Sequence, residues 1–357
     1  MRIKLNGADL NRMMKIIRTC MDNKSITRSN IQITHADGRL QIRATNGSFY
    51  GSVYTALPGG DGDSFCIDGN IFAKVIGLCS GEVEISTDDK SCTVKGTGRT
   101  RIPILPIKIP EMEPVTGSSV ELKADDFKYC YEHVSYAIST DISRMILTGV
   151  YMEKTGSRMQ FTAMDGFQVA IESMESSGDD ISMVVPGGFM SWISSALASG
   201  ETLKLTTNGK QVLAETESMM LCCGLLVGRY VDYRKIIPES FKTEVMINSD
   251  HIRDAVKSEM IISTKNSLLR MNIFEDKISI SGNSADADYD ADISCETLGD
   301  PLDIAFNNKY LINMLNAIGT EKTLIKFNTS NSPVIVQGKG QDCIHLCMPV
   351  RLKEINA

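Results

Sequence analysis

Four histidines, His35, His133, His251 and His345, are the side chains of this 357-residue chain whose ordinary pKa suits proton transfer at neutral pH. No two of them stand at a metal-ligand spacing. Cys343, His345 and Cys347 alternate along one stretch, so in a strand their side chains share a face. Zinc takes sulfur and nitrogen ligands, but this trio lacks a fourth ligand nearby. Three buried strand residues are the plainer reading, because unpaired cysteines are commonly core residues. The run Asp286-Ala-Asp-Tyr-Asp-Ala-Asp292 alternates carboxylates. A calcium loop needs Gly at its sixth position and Glu at its twelfth, and here these are Ala291 and Thr297. The run therefore reads as a strand with an acidic solvent face. There is no Gly-x-Gly-x-x-Gly and no phosphate-loop lysine motif. The expectation is a protein without catalytic residues, cofactor or metal.

The basic residues carry more information. Arg12, Lys15, Arg18, Lys24 and Arg28 cluster in or just after the first helical stretch. Lys123 and Lys128 open a second such stretch, and Arg253 and Lys257 lie four apart on a third. Two readings are open: solvated helix faces, or a surface that faces phosphates. The net charge of −7 restricts the second to a local patch. Apolar content of 42% and charged content of 23% are those of an ordinary globular protein. The nineteen methionines suit a core first and adaptable binding surfaces second. The ten cysteines include no Cys-x-x-Cys, the N-terminus lacks a signal-peptide apolar core, and Met219 to Val227 is too short to span a bilayer. These features predict a cytoplasmic protein with reduced thiols and no membrane contact.

The elements that position these residues repeat. Arg158-Met-Gln-Phe-Thr-Ala-Met-Asp-Gly-Phe-Gln-Val-Ala170 alternates, turns at Asp165-Gly166 and alternates again, the pattern of a hairpin. Arg39-Leu-Gln-Ile-Arg-Ala-Thr-Asn-Gly47 repeats it at a step of 158 − 39 = 119, and a further step reaches Lys277. Three steps of 119 give 3 × 119 = 357, the whole length. A period this long means repeated domains, each large enough for its own core. In the first, Leu10, Met14, Ile17 and Met21 mark the buried stripe of a helix from about Asp9. Strands are expected at 2–5, 31–34, 40–45, 49–54, 82–87, 91–96 and 99–105, and a Pro-rich linker at 103–114. A second helix is expected over 70–79, with Asp68 as N-cap and Gly81 as stop. The later repeats place helices at 125–138, 188–198, from Ser249 as cap, and 309–318. Gly200 and Gly319 repeat the stop. Two helices and about eight hairpin-linked strands per unit predict an α+β fold with mainly antiparallel sheets.

Ile138-Ser-Thr-Asp-Ile-Ser-Arg-Met-Ile-Leu-Thr-Gly-Val150, Met164-Asp-Gly-Phe-Gln-Val-Ala170, Gly228-Arg-Tyr-Val-Asp-Tyr-Arg-Lys-Ile-Ile-Pro238 and Met348-Pro-Val-Arg-Leu352 resemble the bacterial DNA polymerase III β-subunit family, the sliding clamps. Length, triplication and motif order extend the resemblance over the whole chain. It implies three tandem clamp domains, at 1–117, 118–243 and 244–357. It implies a head-to-tail homodimer forming a ring around duplex DNA, which tethers the replicative polymerase, with a clamp loader as a further partner. Arg12, Lys15, Lys24, Arg28, Arg253 and Lys257 would face the DNA. Ile102 and Ile104 would meet Ile261 and Ile262 of a second copy. A groove for clamp-binding peptide motifs would be walled by Leu147, Met164, Gly166, Phe167, Gln168, Val169, Val231, Lys235, Ile236, Leu346, Met348, Pro349, Val350, Arg351 and Leu352.

The chain departs from the family pattern in the groove. Phe167-Gln168-Val169 stands where His-Arg-Leu is usual, Val231 replaces a Pro, and Val350 replaces a Met. Five residues, Lys353 to Ala357, follow the usual terminal Leu. Gly188–Ala198 carries no Lys or Arg, which weakens its contribution to a positive pore. The alternatives are a multidomain peptide-binding scaffold that never encircles DNA, and an enzyme with an unrecognised carboxylate or cysteine site.

Overall fold

Three side-chain oxygens set 119 residues apart close three hairpin turns. The carbonyl oxygen of Asn46 accepts the N–H groups of Ser48 and Phe49, Asp165 accepts those of Phe167 and Gln168, and the Ser284 hydroxyl accepts those of Asp286 and Ala287. Each is an Asx- or Ser-type turn in which a short polar side chain replaces a backbone acceptor. In the computed structural model, which describes residues 1–21, 29–263 and 267–351, this repeat extends to whole elements.

Each repeat runs strand, helix, hairpin strands, helix and three closing strands. The helices are α1 (Gly7–Ile17), α2 (Gly69–Ile76), α3 (Ala124–Ser135), α4 (Gly187–Ala196), α5 (Ser249–Ile262) and α6 (Asn308–Asn316). Asn6, Asp68, Asn248 and Asn307 cap α1, α2, α5 and α6, each accepting an N–H of the first turn. Asn248, not Ser249, is thus the cap of α5. Ser249 is the first helical residue, and its hydroxyl lies buried 2.7 Å from that of Thr323. The expected stop glycines also differ from what is found. α2 and α6 end at Ile76 and Asn316, on the right-handed caps Gly77 and Ala317, so Gly81 and Gly319 sit in the following loops. Of the three, only Gly200 has a positive φ, +78°. The loop after each second helix accepts the N–H that opens the first: Gly7 to Gly81 O, Ala124 to Glu201 O, and Ser249 to Glu321 O.

By packing, the chain forms two units: Met1–Phe127 with Ser176–Leu225, and Lys128–Glu175 with the chain from Leu226 on. The second repeat contributes to both, because sheets run on from one repeat to the next. In the first unit one sheet has the order Ser177–Gly178, Ser118–Lys123, Thr202–Thr207, Gln211–Glu215, Met219–Gly224, Phe49–Ala56, Arg39–Thr45, Asn30–Ala36, Asp61–Asp68. The join is the antiparallel pairing of Met219–Gly224 with Phe49–Ala56, Cys223 opposite Phe49. Arg2–Asn6, Glu82–Thr87, Ser91–Lys95 and Arg99–Pro103 form a second, four-stranded sheet. The strand Asp61–Asp68 was not expected. Its polar opening, Asp-Gly-Asp-Ser, masks the alternation of Phe65 and Ile67.

Leu10, Met14 and Ile17 of the expected stripe are fully buried, as are Ile31, Ile33 and Phe72 of the same unit. Full burial of each such side chain contributes about 1.5–3 kcal/mol. Trp192 of α4 donates its indole N–H to Ile16 O at 2.8 Å and packs on Phe49 and Phe189, so α4 serves packing.

The second unit has the strand order Gly149–Thr155, Arg158–Met164, Gln168–Glu175, Ile344–Cys347, Val334–Gly338, Lys322–Phe327, Thr243–Asn248, Asp288–Gly299, Lys277–Asn283, Leu268–Ile273, Leu302–Asn307. Its join pairs Gln168–Glu175 with Ile344–Cys347, Val169 opposite Leu346. Ile252 and Val256 of α5 and Leu311 and Leu315 of α6 pack onto Val245, Ile247, Ile325 and Phe327.

Candidate functional site

The Asp165 turn fixes one end of the expected groove. Asp165 N donates to Gln168 O, so Gly166 and Phe167 are the central turn residues, one step on from the expected Asp165-Gly166. Gly166 has φ +98°, and a Cβ there would stand 2.4 Å from Arg144 Nη1. The left-handed conformation favours glycine, whereas the Arg144 guanidinium is the end of a flexible side chain that can give way. Across the ladder Met164 opposes Val169 and Val169 opposes Leu346, so the three form one apolar row on a single face. All three are buried. Met348 N donates to Phe167 O at 2.8 Å, and the Phe167 ring stacks on Tyr310 with centroids 6.0 Å apart.

Two further segments frame this row. Asp141 caps the 3-10 turn Ile142–Thr148, accepting from Ser143 N and Oγ and from Arg144 Nε, which together hold its carboxyl below the ordinary range. That turn buries Leu147 and leaves Ile142 and Met145 exposed. In the other segment, Tyr230 stacks on Tyr151 at 5.1 Å and reaches Thr162 O, while Tyr233 bonds Gln160 and Arg234 pairs with Glu153. These anchors present Val231 to solvent, leave Ile236 half-buried and expose Lys235, paired with Asp232 at 3.1 Å.

Phe167, Val231 and Val350 are therefore exposed apolar side chains on segments tied to one buried row. Pro349 is half-buried, Arg351 is exposed, and Leu352 lies outside the described residues. Gln168, expected in the groove wall, is 3% exposed, and its amide donates to Asp165 Oδ2 at 2.9 Å, so it braces the turn. Arg144, Ile142 and Met145 were missed as surface residues. Their signal was the Asp-Ile-Ser-Arg capping pattern.

The opposite face of the same two strands holds a second cluster. Glu172, Cys343 and His345 bring a carboxylate oxygen, a sulfur and a ring nitrogen within 4.8 Å of one another. Burial pushes the Glu172 carboxyl up to about 7 and the Cys343 thiol up to about 11, and lowers His345 to about 3. The sequence reading lacked Glu172 because it lies in another repeat.

The basic residues divide. Arg12, Lys15 and Arg18 are exposed on and just after α1, and Arg12 and Lys15 line a cavity of about 350 Å³ between α1 and the end of α4. Arg12 is 3.8 Å from Glu201. Lys257 is exposed on α5. Arg253 is instead committed to the fold. Its guanidinium donates to Leu315 O and Ile318 O at the end of α6, and to Asp250. A cation there satisfies the last carbonyls of the helix. Lys24 and Arg28 lie outside the described residues.

Of the expected contact isoleucines, Ile261 is 73% exposed, and Ile262 and Ile104 are half-buried. Ile102 is 1% exposed and belongs to the core. Its strand, Arg99–Pro103, is the edge of the four-stranded sheet and exposes Arg99 and Arg101. The strand Asp288–Gly299 exposes Asp288, Asp290 and Asp292. No helix among the described residues is long and apolar enough to cross a membrane.

Comparison with known proteins adds three findings. Residues 121–232 match the central domain and residues 234–351 the C-terminal domain of the DNA polymerase III beta subunit. The chain is 27% identical over 310 residues to the beta sliding clamp of Streptomyces coelicolor, spanning 80% of this chain and 81% of that one. It is 22% identical over 304 residues to that of Staphylococcus aureus, spanning 81% and 80%. Among solved structures, the beta subunit of Thermotoga maritima superposes with a TM-score of 0.91 at 22% identity, covering 99% of this chain and all of that one. The Bacillus subtilis sliding clamp gives 0.92 at 19%, and the Pseudomonas aeruginosa clamp bound to griselimycin 0.93 at 19%, each with the same coverage.

Proposed function

Because this chain belongs to the DNA polymerase III beta-subunit family, we propose that two copies close head to tail into a ring around duplex DNA. The protein is a DNA polymerase processivity factor, and DNA and polymerase are its partners. Its domains on this reading are 1–117, 118–243 and 244–357. It binds and holds, and does no chemistry of its own. It works in the cytoplasm.

The observation that carries the reading is the unbroken match of the second and third repeats to the family's central and C-terminal domains. Arg12, Lys15 and Lys257 line the hole. Encirclement makes retention topological, so a few phosphate contacts suffice and tight binding would hinder sliding. The ring closes where Arg99 and Arg101 of one copy approach Asp288 and Asp290 of the other, with Ile104, Ile261 and Ile262 at the seam. The face around Val169, Leu346 and Met348 takes a short peptide from the polymerase, the clamp loader or other partners. Phe167, Val231 and Val350 supply its exposed apolar contacts. The Pseudomonas clamp binds griselimycin, which supports a ligand-taking surface in this fold.

The test is sedimentation mass together with retention on DNA after loading. A dimer held on nicked circular DNA but lost from linear DNA is expected. A monomer at micromolar concentration, or equal retention on both DNAs, would leave a peptide-binding scaffold as the better reading.

A further inference from the structure

The ladder between Gln168–Glu175 and Ile344–Cys347 sets Ala170 opposite His345 and Ile171 opposite Ile344. Continued by one residue, the register brings Glu172 across from Cys343. The pleat then places Glu172, Cys343 and His345 on one face and Val169 and Leu346 on the other. All three residues of the cluster are buried. Glu172 Oε1 and His345 Nε2 are 3.7 Å apart, beyond hydrogen-bond reach, and neither has another partner among the described residues. Buried polar atoms without a hydrogen bond call for a partner, and a metal ion is one that would satisfy both at once.

We propose that Glu172, Cys343 and His345 bind one Zn²⁺ ion, with water as the fourth ligand. Tetrahedral zinc with N and O ligands at about 2.0–2.1 Å sets those ligands about 3.3 Å apart, so the observed pair needs to close by only a few tenths of an ångström. The donor set of thiolate, imidazole and carboxylate suits zinc, whereas calcium and magnesium take oxygen alone. His345 is already oriented for the task. Its Nδ1 lies 2.9 Å from the Tyr136 hydroxyl, so an Nδ1–H donated there leaves the Nε2 lone pair aimed at Glu172. Glu172 and Cys343 also line a cavity of about 310 Å³ with Tyr129, Arg158 and Asp342. The cavity supplies an entry path and room for the water. On binding, the Cys343 thiol proton passes to solvent and a sulfur–zinc bond takes its place. The ion ties a strand of the second repeat to a strand of the third. The site stands whether or not the chain encircles DNA.

The experiment uses the full chain, stripped with a chelator and dialysed. Zn²⁺ is titrated in competition with a chromophoric chelator, and Co²⁺ serves as the spectroscopic probe. One equivalent of Zn²⁺ should bind, with a thiolate-to-cobalt charge-transfer band and a higher unfolding temperature. Cys343→Ser, nearly isosteric, should keep the native circular dichroism spectrum and lose the band. Glu172→Gln should weaken Zn²⁺ binding by more than about 100-fold, beyond the loss of a supporting hydrogen bond. The proposal is overturned if the wild type binds no Zn²⁺ at micromolar concentration. It is equally overturned if Cys343→Ser keeps the band, which would assign binding to another cysteine, or if Glu172→Gln binds as tightly as wild type.

Discussion

Gly166 is a residue whose backbone conformation serves both the fold and the proposed groove. Its φ of +98° is one that side-chain-bearing residues rarely adopt. Gly166→Ala is expected to cost at least about 1 kcal/mol in urea unfolding, through left-handed strain. It should also displace Phe167 and so weaken partner-peptide binding. Met348, half-buried beside that turn, is expected to be a hot spot. Met348→Ala should lose about 1–3 kcal/mol of affinity for a polymerase-derived peptide in a fluorescence titration. Gln168→Ala should lower stability more than affinity, since its amide braces Asp165. Glu172 has a separate signature in chelator-treated protein. Its folded pKa of about 7 stands above its ordinary 4.5, so folding favours the protonated form. Its contribution is full below about pH 4.5 and is lost as pH rises through 7. The gap corresponds to about 3 kcal/mol. Metal-free Glu172→Gln should therefore gain up to that much stability over wild type at pH 8, and the gain should vanish by pH 4.5 in thermal unfolding.

At the level of elements, α1 and α5 carry the basic residues to different ends. Arg12 and Lys15 are exposed, whereas Arg253 is bound to the last carbonyls of α6. Arg12→Glu with Lys15→Glu should flatten the salt dependence of DNA binding by about two units in log–log slope, roughly 0.9 per phosphate contact. Arg253→Ala should instead lower the unfolding temperature and leave that slope nearly unchanged. Equal effects on the slope would contradict this division. The 119-residue step was legible because it is written in local chemistry: Asn46, Asp165 and Ser284 each close a turn within three residues. The core stripe Leu10, Met14, Ile17 was legible for the same reason, since helical period alone places it. The helix stops were not, because α2 and α6 end on right-handed residues that need no glycine. Nor was Glu172 legible as a partner of Cys343. Those two are 343 − 172 = 171 residues apart, and only the strand register joins them. The side-chain direction of Gln168 likewise depends on its turn, which no spacing rule reports.

At the scale of the whole molecule, the proposed ring would close at edges. Ile261 is 73% exposed, and Ile261→Asp should shift the sedimentation mass from dimer toward monomer without changing the circular dichroism spectrum. An unchanged mass would place the seam elsewhere. The pairing of Phe49–Ala56 with Met219–Gly224 has a consequence for synthesis. Cys223 must be made before Phe49 finds its neighbour, a delay of 223 − 49 = 174 residues. At about 5–20 residues per second, that edge stays open for about 9–35 s on the ribosome. Val169 waits for Leu346 over a similar span, 346 − 169 = 177 residues. A ribosome that stalls before residue 219 therefore holds a first repeat with a bare strand turned to solvent. Neighbouring nascent chains on the same message would offer the same bare strand, so slow translation is the condition under which this protein is most exposed to mispairing.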